Sequence, residues 1–179
     1  MRKKKLYVVA FFTVVIIFSY FCYRWFNSFE VNNKSKLIAT IEENNNVSDI
    51  AILKTHKDGN LFLILYATKT NDICIFICRE DTLFKSRYTI QGSGVSLTNN
   101  YFGTYLYSNP NEAIIVVYGD NKKLGAYKYI LSNGEKTYDK VIDNETFIID
   151  VYRIPNGEIE IPKKGIRLQL LDKNNKAIY

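Results

Sequence analysis

The chain has 179 residues, 47% of them hydrophobic and 15% aromatic, with 24 Lys and Arg against 18 Asp and Glu. Five of the cations (Arg2, Lys3, Lys4, Lys5 and Arg24) flank one apolar run, which leaves 19 facing 18 acids in the rest of the chain. The basic balance is therefore a topology signal, and nucleic acid is excluded as an expected partner, because holding a phosphate backbone needs a cationic stripe on the folded part.

The apolar run, Leu6 to Tyr23, reads LYVVAFFTVVIIFSYFCY and carries no charge. Its 18 residues would cover roughly 27 Å as a helix, close to the ~30 Å hydrocarbon thickness of a bilayer. The sequence predicts a basic cytoplasmic tail at 1–5 and a single transmembrane helix at 6–23. With four cations before the span and one after it, the amino terminus is expected in the cytoplasm and the rest of the chain outside. A cleavable signal peptide would have a shorter apolar stretch and small residues before its cleavage site. Here Tyr20 and Phe21 precede Cys22, which fits neither peptidase cleavage nor lipoprotein acylation, so an uncleaved signal anchor in the cell membrane is expected. Tyr20, Tyr23, Arg24, Trp25 and Phe26 have the character of an aromatic belt at the outer interface.

Residues 24–36 read as a short polar tether, followed by an extracytoplasmic β-rich domain at 37–179. Ser35 is expected to cap a short helix near Lys36 to Glu43, with Leu37, Ile38 and Ile41 on one face and Asn44-Asn45-Asn46 ending it. Leu37 to Ile41 also fits a strand. From Ser48 onward, short apolar runs alternate with turn residues, the signature of antiparallel sheet. Lys57-Asp58-Gly59-Asn60 marks a hairpin, because Asp and Gly tolerate the positive φ of a type I′ turn. Leu61 to Ala67, Ile73 to Cys78 and Ala113 to Tyr118 are apolar at every position, so each should be a strand covered on both faces. Leu83 to Ile90 is expected as a flanking strand and Gln91 to Asn100 as a loop. Tyr101 to Tyr107 is ambiguous. Ala126 to Leu131, Thr146 to Ile154 and Gly165 to Leu171 should be further strands, the last forming a hairpin with Ala177 to Tyr179. The expected class is mainly β (α+β): an N-terminal transmembrane helix, one short helix and a single antiparallel-sheet domain of about seven to eight strands.

The catalytic inventory is thin. His56 is the one histidine, placed beside a predicted turn where exposure is the ordinary condition. Gly92-Ser93-Gly94 matches neither a nucleophile elbow nor a phosphate loop. Cys74 and Cys78 sit four residues apart on one strand, about 13 Å at strand rise, too far for a disulfide whose Cα atoms lie within about 7 Å. With one histidine and no second cysteine pair they do not make a zinc site, and two buried small hydrophobes are expected. Glu80-Asp81 reads as a turn. Glu158 and Glu160 alternate with Ile159 and Ile161 as the wet side of an edge strand. Asp172 to Lys176 resembles a calcium loop only in composition. No cofactor or metal is expected.

The feature with binding potential is aromatic: Tyr88, Tyr101, Tyr105 and Tyr107 can line a groove for a peptide or carbohydrate, although tyrosines also pack sheets half-buried. In plan the chain resembles small single-span, β-rich surface proteins of Gram-positive bacteria, with basic tail, span and hairpins around F-x-x-R-Y at Phe84 to Tyr88 and V-Y-G-D-N at Val117 to Asn121. That resemblance brings no activity and no site residue. The lysine-, isoleucine- and asparagine-rich composition points to the same kind of source. The expected function is a non-catalytic binding role at the cell envelope, with a surface protein, peptide or wall polymer as partner. A membrane-held immunity or inhibitor protein, and more remotely a carboxylate-based cell-wall hydrolase, are the alternatives.

Overall fold

The computed structural model describes residues 2–96, 101–109, 112–133, 136–155 and 165–178. The chain opens with α1 (Arg2–Phe26), whose Tyr7–Phe26 stretch is long and apolar enough to cross a membrane and has none of its apolar window covered by the rest of the molecule. β1 (Phe29–Glu30) and α2 (Lys34–Asn45) follow. Then come β2 (Ala51–Asp58), β3 (Leu61–Ala67), β4 (Ile73–Glu80), β5 (Arg87–Val95), β6 (Phe102–Asn109), β7 (Glu112–Asp120), the one-turn α3 (Asn121–Leu124), β8 (Lys128–Ser132), β9 (Thr137–Val141), β10 (Phe147–Pro155) and β11 (Arg167–Leu171). The expected mainly-β class holds; the strands number eleven among the described residues, all antiparallel to their neighbours.

They form three sheets: a five-stranded one ordered β1-β5-β4-β3-β2 and two three-stranded ones ordered β10-β7-β6 and β11-β8-β9. Side-chain alternation along the strands fixes how these stack. Ile64, Tyr66, Cys74, Phe76 and Cys78 point to one side of the five-stranded sheet, where Leu37 and Ile41 of α2 cover them. Leu61, Leu63, Leu65, Ile73, Ile75 and Ile77 point to the other side, against Ile114, Val116 and Tyr118 of β7 and Ile149 of β10. The remaining β7 positions, Ala113, Ile115 and Val117, meet Tyr129 and Leu131 of β8 and Leu170 of β11. The layers therefore run α2, five-stranded sheet, β10-β7-β6 sheet, β11-β8-β9 sheet. All three runs expected to be covered on both faces are.

Local chemistry explains where the boundaries fall. The helix expected over Leu37–Ile41 is present, but Asn33 rather than Ser35 caps it: the Asn33 side chain accepts from the Lys36 amide at 3.0 Å, adding two residues at its start. Asn46, at φ 53°, closes it in the left-handed conformation. In the β2–β3 hairpin Asp58 pairs with Leu61, leaving Gly59-Asn60 as the loop. Gly59 takes φ 59° and Asn60 does not go positive, so the turn has its glycine at the first central position in place of the type I′ form expected from Asp-Gly. The stretch read as a tether is largely built in: Ser28 and Val31 are buried and β1 pairs with β5.

The flanking strand is shifted. Leu83 lies outside it, and β5 runs on to Val95 through Gly92-Ser93-Gly94, a segment expected to be loop. The glycines are there for space. A Cβ on Gly92 would stand 2.1 Å from the Tyr105 hydroxyl, and one on Gly94 2.8 Å from the same ring, so the β6 tyrosine occupies the room two side chains would need. β9 and α3 were not anticipated. The predicted edge strand at Glu158 and Glu160 lies outside the described residues.

The same close approach recurs at Gly119 of β7, where an added Cβ would meet three carbons of the Phe102 ring at 2.5–2.7 Å. Phe102 is buried at 3% exposure and cannot swing clear. Gly119→Ala, although it relieves a glycine in a strand, is expected to cost about 1–3 kcal/mol by overpacking. Chemical denaturation of the purified protein would measure it, and unchanged or increased stability would refute the packing argument.

Candidate functional site

Two polar clusters are set by the elements that meet around them. The first is the junction between α1 and the sheets. Asp81 follows β4 and its carboxylate is fully buried, so it must find partners. It accepts from the Leu83 and Phe84 amides at 2.7 and 3.1 Å, and from Arg24 of α1 at 2.7 and 3.0 Å. Burial alone would raise the Asp81 pKa; the Arg24 guanidinium and the two amides outweigh it and hold the carboxyl below its ordinary range. Arg87 at the start of β5 makes the second contact. Its guanidinium lies 4.0 Å from the Trp25 ring centroid, donates to the Trp25 carbonyl at 2.9 Å and to the Ser28 hydroxyl at 2.8 Å, and also reaches the Ser28 carbonyl. Phe84 sits edge-on to both Trp25 and Phe21, at 5.2 and 6.1 Å. A cleft of about 370 Å³ opens beside this junction, between Trp25, Glu30, Phe84, Lys85 and Arg87.

The second is a buried polar network between the two three-stranded sheets. Tyr129, with no exposed surface, donates to Asp150 at 2.8 Å and shares a hydrogen bond with Tyr152. Lys140 pairs with Asp150 and Glu145, each at 2.7 Å, and Lys54 donates to the Phe147 carbonyl at 2.7 Å beside Glu145. Burial, reinforced by Tyr152 and Asp150, drives the Tyr129 hydroxyl far above its usual pKa. A neutral tyrosine whose proton is committed to a carboxylate does not act as a base. This network fastens β8, β9 and β10 to one another. Arg153 does similar work at another seam, bridging Asp58 of β2 at 2.8 Å and Glu112 of β7 at 2.7 Å.

The four tyrosines proposed from sequence are not gathered into one groove. Tyr88 is buried on the α2 side, tilted against Phe62 at 5.6 Å. Tyr101, Tyr105 and Tyr107 pack against the core on the opposite face of the five-stranded sheet. Tyr107 donates to Gln91 at 2.8 Å and lies under Arg79; Tyr101 lies under Lys123 at 4.8 Å. Cys74 and Cys78 are buried and unbridged, with burial lifting the Cys74 thiol to about 11, so neither is a nucleophile at neutral pH. His56 is half-buried on β2. Among the described residues, no three His, Cys, Asp or Glu side chains converge as a metal set.

What sequence reasoning missed is the far end of the molecule. β5 begins at Arg87, against α1, and ends at Val95, about 26 Å away at strand rise. Val95 is 60% exposed and lines two clefts. One, about 400 Å³, lies among Ser48, Tyr66, Thr68, Thr70 and Asp72. The other, about 670 Å³, opens between β6 at Gly103-Thr104 and β11 at Arg167 to Gln169. Both fall in the size range of ligand sites. Val95 stood in a segment expected to be loop, and no local motif marks it. No protein-family model, curated protein sequence or solved structure matches this chain.

The Arg24–Asp81 contact carries a pH dependence. A carboxyl whose pKa is lowered on folding stabilises the folded form above its unfolded value of about 3.9, and that contribution disappears as pH falls through the lower folded value. Trp25, the one tryptophan, reports on the junction directly. Its emission in the full-length protein is expected to be constant from neutral pH to about pH 4 and to change below that. In Asp81→Asn the acid transition should be gone and the junction loosened at every pH. An identical acid transition in both proteins would show that Asp81 does not govern it.

Proposed function

We propose that this is a single-pass, membrane-anchored protein whose domain lies outside the cell membrane and acts as a non-catalytic interaction module of the envelope. The reading rests first on α1: an apolar helix whose side chains are exposed along its length needs a lipid environment, and the Arg2–Lys5 cluster favours keeping its start in the cytoplasm. The observation that carries the interaction role is the pair of clefts meeting at Val95, at the end of β5 opposite the α1 junction. A partner outside the cell meets that end first. Several acids among the described residues are committed to cations: Asp81 holds Arg24, Asp150 and Glu145 hold Lys140, and Asp58 and Glu112 hold Arg153.

The test has two arms. With Cys22→Ser in the background and Cys74 and Cys78 buried, a cysteine added at Lys69 or at Lys173, both well exposed, is expected to react with an impermeant thiol reagent on intact cells. Reaction only after lysis would put the domain inside and end the envelope reading. A photo-crosslinking amino acid at Val95 is then expected to give a discrete adduct that the same group at Lys173 does not. Equal or no adducts at both positions would remove the Val95 end as the binding face.

A further inference from the structure

Phe21, Arg24 and Trp25 lie on one face of α1, spaced by three and four residues, and all three touch the 81–87 segment. Phe84 thus reaches back along the helix by about one turn, roughly 5 Å, from Trp25 to Phe21. Phe21 belongs to the uncharged run that ends at Tyr23. Whatever depth α1 takes in a bilayer, the loop between β4 and β5 shares it, because Asp81 and Arg87 fix that loop to Arg24, Trp25 and Ser28.

We propose that residues 82–86, Thr-Leu-Phe-Lys-Ser, form a second membrane contact, seated in the headgroup–acyl boundary of the leaflet from which α1 emerges. The inference rests on reading α1 as a membrane span. Three independent features of the loop fit a lipid surface. Leu83 is 46% exposed beside Phe84, which packs its ring against Trp25 and Phe21 of α1. The loop contains no acid, its flanking acids are committed to Arg24 and Lys57, and Lys85 stands exposed next to the apolar pair, an order suited to anionic headgroups.

The third feature is the backbone. A loop lowered toward hydrocarbon is favoured when its N–H groups are satisfied within the protein, since acyl chains offer no acceptors. Leu83 and Phe84 donate to Asp81, Ser86 donates to Glu80 at 3.2 Å, and Arg87 donates to the Phe84 carbonyl at 3.1 Å. The domain would accordingly lie with its α1 end against the headgroups, held at two points.

The experiment uses the full-length chain carrying Cys22→Ser, reconstituted in phosphatidylcholine vesicles containing phosphatidylglycerol. A fluorophore is placed in turn at Leu83→Cys, Lys85→Cys, Ser19→Cys in the span and Lys69→Cys at the far end. Nitroxide-labelled lipids then report depth. The label at position 83 is expected about 5–10 Å below the phosphates, as for other interfacial apolar groups, with position 85 shallower and position 69 unquenched. If position 19 is quenched while 83 and 85 both match 69, the loop contact is overturned and the span stands. If position 19 is also unquenched, α1 does not enter the bilayer and both readings fall.

Discussion

Three strands, β3, β4 and β7, are apolar on both faces, and the arrangement of everything else follows from covering them. A single sheet can hide only one side of such a strand. β3 and β4 take α2 on one side and β7 on the other; β7, itself two-faced, then requires the β11-β8-β9 sheet. The layer order is the shortest solution to that burial requirement. Glycines make room for rings in two ways, between layers where β5 meets Tyr105 of β6, and within one sheet where Gly119 of β7 lies opposite its cross-strand partner Phe102.

Asp81 introduces the one strong electrostatic demand at the start of the domain. A buried carboxylate is tolerated when its hydrogen bonds are complete, and such pairs contribute more to specifying geometry than to net stability. Two of its acceptor positions are filled by its own loop, and the remainder by Arg24, which belongs to α1. The helix is thereby assigned a definite orientation on the domain. Arg87 and Trp25 strengthen that assignment, the guanidinium lying 4.0 Å from the indole ring centroid.

Much of this was written locally in the sequence. Continuous apolar runs announced the doubly covered strands, and Gly59, Asn46 and the Thr68–Asp72 turn punctuate the chain as their backbone preferences require. What was not legible depended on distant partners. Gly92-Ser93-Gly94 has loop composition and is strand through its pairing with Ile75 to Ile77 of β4, with Tyr105 in the space the glycines leave. β9, with the polar sequence Thr137 to Val141, is held by its pairing with β8 and by Lys140 rather than by any pattern of its own. The tyrosines looked like one surface because they are close in sequence, yet sheet geometry sends Tyr88 to the opposite side of its sheet from Tyr105 and Tyr107. The Val95 clefts draw on residues from 45 to 169 and leave no trace in any short window.

Arg24 and Trp25 clamp α1 to the domain within a turn of its end at Phe26, and Ser28 is already buried, so there is no swivel between helix and sheets. Each residue of an α-helix advances the azimuth by about 100°. The bearing of the Val95 end around the α1 axis is thus locked to the side chains on each face of that helix. A protein packing laterally against α1 would aim the far clefts in one direction, and shifting the helix register by a single residue would point them elsewhere.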